Sequence, residues 1–201
     1  MKRQILIALA LLAAFAALVS GCKPASPAPT ATPPAVTTAP PMETLAPATP
    51  SPTPVQSGLA GDTKDILAAV NEGANIDFET FDEQITAETC QSYLGLTPEQ
   101  LGEYAEDAYV SMAAMNVSAH LTALVKCKDA ASAAEVKSLV AKGFDSGRWV
   151  CVRPDRCLVV EAGSYVFLIA SYDEIATALE DAFRALAGDA AGEADVFFEA
   201  E

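Results

Sequence analysis

Chemistry in this chain would have to come from a handful of residues. There is a single histidine, His120, and Ser118 stands two residues before it. Residues two apart on a strand share a face, so a Ser–His contact is geometrically open. The chain has no G-x-S-x-G elbow or other turn that presents a nucleophile, however, so the sequence predicts a surface-strand histidine. Five cysteines are the other reactive groups: Cys22, Cys90, Cys127, Cys151 and Cys157. None forms a C-x-x-C pair, and one histidine with scattered cysteines completes no zinc set, so no metal site is expected. Asp77-Phe78-Glu79 and Asp82-Glu83 could supply a carboxylate pair for acid–base work, but nothing distinguishes them from a solvated face. A calcium loop of the D-x-[DN]-x-[DN]-G type is missing, and Gly143 and Gly147 belong to a helix-end segment rather than a phosphate cradle. The sequence assigns no catalytic residue and no cofactor.

Cys22 is different, because its setting is specific. Lys2 and Arg3 form a short positive segment, and Ile5 to Val19 is an apolar run of 15 residues. A membrane-spanning helix needs about 20 residues, so the run reads as a secretory signal over residues 1–21. It closes on Val19-Ser20-Gly21-Cys22, which resembles the lipobox of bacterial lipoproteins. That resemblance implies a diacylglyceryl group on the Cys22 thiol, cleavage before it, and fatty acylation, palmitate for example, of the new terminus. Lys23 follows, so the aspartate that retains some lipoproteins on an inner membrane is not at that position. The expected location is extracytoplasmic, on the cell membrane, held by lipid. Several acyl chains anchor stably, since each buried methylene contributes about 0.8 kcal/mol.

Beyond the lipidated cysteine, residues 22–57 contain 11 of the 13 prolines, interleaved with Ala, Thr and Ser and without an aromatic residue. Such a stretch cannot offset its ordering entropy with a core, and predicts an extended, disordered stalk. At about 3.1 Å per residue its upper reach is roughly 110 Å. From residue 61 onward nine bases face 26 acids, a balance of −17. Phosphate binding needs clustered cations, so nucleic acid is excluded as a partner, and so is docking on anionic lipid through a basic patch.

Residues 58–188 are long enough for one core. Thr97-Pro98-Glu99-Gln100 is a capping box that opens a short helix through about Tyr104. Tyr109–Met115 and Ala119–Lys126 read as strands about an Asn116-Val117-Ser118 turn. Asp129 caps a helix whose Val136, Leu139, Val140 and Phe144 make one stripe. Cys157–Glu161 and Tyr165–Ser171 read as strands joined at Gly163, and Ser171 to Glu174 as a second capping box opening a helix that Gly188 stops. The predicted fold is α+β: a ββαββα antiparallel sheet with both long helices on one face, preceded by short helices. Residues 189–201 form an acidic tail whose Val196-Phe197-Phe198 could cap the domain or extend a sheet edge. Trp149 reads as a loop-packing aromatic, with a partner anchor as the alternative. In an exported domain four remaining cysteines favour two disulfides. Cys151 with Cys157 would staple the Val152–Arg156 loop and leave Cys90 with Cys127; unpaired buried thiols are the alternative.

Tyr93-Leu94-Gly95-Leu96-Thr97-Pro98-Glu99, Val117-Ser118-Ala119, Val125-Lys126-Cys127-Lys128-Asp129 and Gly163-Ser164-Tyr165-Val166-Phe167-Leu168 stand in succession. Together they resemble a family of Gram-positive bacterial lipoproteins known only as a domain of unknown function (number 4358). The resemblance covers about Phe78 to Leu186 and departs at His120, where the family leads one to expect an acidic residue. It implies a location and a fold, and no activity. The expected function is a non-catalytic binding or scaffolding domain for an envelope protein or ligand. The alternative is an envelope enzyme, or an accessory to one, using a carboxylate or His120. A solute receptor is disfavoured because some 130 residues do not make two lobes.

Overall fold

Apolar runs without polar alternation set the centre of the molecule. The computed structural model describes residues 59–115 and 117–200. The signal over residues 1–21, the lipidation site Cys22 and the stalk over 22–57 lie outside the described residues. In chain order the elements are α1 (Thr63–Gly73), β1 (Thr80–Gln84), α2 (Cys90–Leu94), α3 (Pro98–Tyr104), β2 (Ala105–Ala113) and β3 (Leu121–Cys127). There follow α4 (Ala130–Gly143), β4 (Arg156–Ala162), β5 (Tyr165–Ser171), α5 (Asp173–Ala187), a 3-10 turn (Gly188–Ala190) and β6 (Asp195–Glu199). The fold is α+β, with one six-stranded sheet in the order β1-β2-β3-β5-β4-β6. Every neighbouring pair is antiparallel. Since β5 is antiparallel to both β3 and β4, those two run the same way with β5 between them.

The helices cover both faces, which corrects the expectation that the two long ones share a face. On one side Ala133, Val136 and Val140 of α4 pack over Ala123, Val125, Val159 and Leu168. On the other, Ile66 and Val70 of α1 and Leu179 and Phe183 of α5 pack over Leu124, Leu158, Phe167 and Ile169. The reason is connectivity. Helix α4 crosses from β3 to β4 above the slot that β5 fills, and α5 leaves β5 on the opposite side. All seven residues of β5 are buried, as a strand covered on both faces requires.

Local signals account for most boundaries. Thr97 and Gln100 exchange both capping-box bonds, at 2.9 and 3.3 Å. Asp129 Oδ1 accepts the Ser132 N–H at 2.7 Å to open α4. Ala162 pairs with Tyr165 across the two-residue loop Gly163-Ser164, and Gly163 at φ 60° supplies the left-handed first position. Gly95, at φ 72°, lies against the Gly143 carbonyl, so a Cβ there would collide with backbone at the end of α4. One strand differs from expectation. Strand β1 carries Asp82-Glu83, read above as a solvated acidic cluster, and pairs with β2. The C-terminal segment supplies β6, which pairs with β4 and turns Phe197 towards Phe144, their ring centroids 6.0 Å apart.

Candidate functional site

His120 is the last residue before β3, one step beyond the Leu121–Ala170 register pair, which sets it across from Ser171. Its side chain is 1% exposed, so the expected surface histidine is in fact a core one. The imidazole Nδ1 lies 3.0 Å from the Ser171 Oγ, and Phe78 meets the ring edge-on at a centroid distance of 5.0 Å. Ser118, the partner that the spacing offered, instead accepts the His120 backbone N–H at its carbonyl, at 3.0 Å. Ser171 explains a second departure. It was expected to cap α5, but its hydroxyl is taken by His120; α5 starts after Tyr172, and Asp155 Oδ2 accepts the Asp173 N–H at 3.2 Å.

Either Nδ1–H donates to the Ser171 Oγ or the Ser171 hydroxyl donates to Nδ1, according to the tautomer. Nε2 is buried and has no hydrogen-bond partner among the described residues. Burial pushes the His120 pKa down to about 4, so the ring is neutral at neutral pH.

A cavity of about 420 Å³ lies beside this histidine. Met112 from β2, Ser118 and His120 line it together with Arg148, Trp149 and Cys151 from the α4–β4 loop. The loop tip is open, with Val150 99% exposed. The Arg148 guanidinium lies over the Tyr93 ring at 5.3 Å and the Trp149 ring at 5.6 Å. It donates through Nη1 to the Ser92 carbonyl at 2.7 Å and makes no ion pair among the described residues. Burial lowers its pKa, while nearby Tyr93 and Asp145 act in the opposite sense. Trp149 is half-buried and packs against the α4-side core, as expected of a loop-packing aromatic.

The cysteines stand as free thiols rather than as Cys151–Cys157 and Cys90–Cys127 pairs. Cys157 lies inside the core on β4 while Cys151 is exposed in the loop. The buried Cys90 thiol donates to the Leu96 carbonyl at 3.2 Å. Burial pushes both Cys127 and Cys157 up to about 12. Asp82 and Glu83 are neighbours on β1 and so point to opposite faces; they do not converge. Among the described residues no three His, Cys, Asp or Glu side chains gather as metal ligands would.

No family model matches the chain, and no curated protein or solved structure matches it either. Ser171 and Arg148 are the site residues that sequence reasoning missed. The His120–Ser171 bond depends on the β3–β5 register across 51 residues, and no local pattern encodes that.

Proposed function

We propose that this protein is a lipid-anchored extracytoplasmic lipoprotein whose folded domain binds a ligand or envelope partner and performs no chemistry. The anchor rests on Val19-Ser20-Gly21-Cys22 closing a 15-residue apolar run behind Lys2 and Arg3, with the proline-rich segment as a spacer. The resemblance to the uncharacterised Gram-positive lipoprotein family agrees with that location. One observation carries the binding half. The hydroxyl that touches the histidine, Ser171, is completely buried, so the serine paired with His120 is closed to a substrate, while the cavity offers hydrogen-bonding groups and an aromatic surface.

Replacing Cys22 with Ser tests the anchor. Incorporation of labelled fatty acid should vanish and the protein should leave the membrane fraction; continued lipid labelling of C22S would overturn it. Crosslinking on intact cells, followed by mass spectrometry, tests the binding half, and the expected result is a specific envelope partner or ligand that is lost when the domain is removed. The second reading is an envelope enzyme. It is favoured by the exposed Cys151 thiol sharing a cavity with His120. A histidine with a pKa near 4 is a weak base at neutral pH, which sets this reading second.

A further inference from the structure

We infer that the His120–Arg148–Trp149 cavity is a binding site for a small organic anion, a carboxylate carried on a flat, apolar body. This deepens the binding reading above and rests on it. Three independent observations meet in one place. First, among the described residues the cavity lining holds no Asp or Glu, although the domain from residue 61 carries 26 acids against nine bases. Its charged group is Arg148. Second, that guanidinium spends one N–H on the Ser92 carbonyl and has no carboxylate partner among the described residues. Asp145 acts on this cation only from beyond ion-pair distance, and a bound carboxylate would supply a direct partner in bidentate geometry. Third, the His120 Nε2 is a buried nitrogen without a partner among the described residues, beside the same cavity, and in the tautomer that protonates it this nitrogen would donate to a bound oxygen. An unmade bond of that kind costs about 1–3 kcal/mol, which an anion oxygen, or a water that it holds, would recover.

The body of the ligand follows from the remaining surface. Trp149 and Met112 in the lining offer a flat aromatic and an apolar surface, and the cavity of about 420 Å³ falls within the range of drug-sized sites. The net charge of the domain opposes any anion at long range. That repulsion is screened beyond about 8 Å at physiological ionic strength, whereas contact with Arg148 is not. The local donors therefore decide.

Trp149 is the only tryptophan, so its emission reports directly on the cavity. The experiment titrates the full chain with benzoate and phenylacetate, and with benzamide and phenylacetamide as uncharged isosteres. Expected are saturable changes in emission with the acids, and at least tenfold weaker binding of the amides. Arg148→Gln should weaken acid binding by roughly 10- to 100-fold, the range for a charged hydrogen bond. Arg148→Lys, which keeps the charge but loses the fork, should fall between. His120→Phe, which keeps an aromatic ring in the core, should weaken the acids several-fold. No saturable change with either acid up to about 10 mM, well above the millimolar range of weak sites, would overturn the proposal. Amides that bind as well as the acids would overturn it too. If the acids fail while crosslinking still captures an envelope partner, the binding reading stands and this cavity is not its site.

Discussion

His120 is a core residue with one satisfied nitrogen, and this has a consequence for stability against acid. The unfolded histidine titrates near its ordinary value of about 6.5, whereas the native one is pushed down to about 4. Above pH ~6.5 both states are neutral and the full native stability is present. As pH falls through that window the unfolded chain takes up a proton that the native state refuses. Stability then drops by about 1.4 kcal/mol per pH unit, roughly 3 kcal/mol in all, and this loss levels off below about 4. Urea unfolding at pH 7, 6, 5 and 4 should show that slope in the parent and a shallower one in His120→Phe. Equal slopes would mean that His120 is solvated in the native state. The absolute stability of the variant should also fall, because Ser171 loses its hydrogen-bond partner.

At the scale of elements, the assignment of α4 and α5 to opposite faces makes a separate prediction. Phe183 of α5 stacks on Phe167 with centroids 4.9 Å apart, and Val140 of α4 lies buried on the far side of the sheet. Phe183→Ala should cost about 3–5 kcal/mol, and Val140→Ala about 2 kcal/mol, from transfer plus cavity terms. Because the sheet separates them, the double variant should sum the two within about 0.5 kcal/mol. A coupling above 1 kcal/mol would mean that the helices touch. Much of this scale was legible in the sequence. The capping box at Thr97, the Asp129 cap, the Gly163 turn and the long helices follow from local chemistry. The layering was not read, although Tyr165-Val166-Phe167-Leu168-Ile169-Ala170 carried the clue, since a strand with no polar alternation has no solvent face. Strand β1 could not be read from Thr80–Gln84 because its pairing, not its composition, makes it a strand. Of the site, His120 and Trp149 were visible as types, but the cavity that joins them to Arg148 exists only through long-range register and loop placement.

The whole molecule has a thiol pattern that follows from its burial. Cys151 is exposed, and Cys90, Cys127 and Cys157 are buried, the last two with depressed thiolate character. Denatured, non-reduced protein from the native host should therefore yield four free thiols beyond Cys22, while the native protein should react rapidly at Cys151 alone. Two thiols at Cys90 and Cys127 would restore the Cys151–Cys157 staple. The strand order has a further consequence, in time rather than space. Strand β5 occupies the middle of the sheet and is joined to β4 by the Gly163-Ser164 turn, so the two form a local hairpin that must then dock β5 on the β3 edge. That non-local docking slows folding and leaves the apolar β3 edge unsatisfied while it waits. A chain delivered N-terminus first makes the β1-β2-β3 edge well before the strand that covers it.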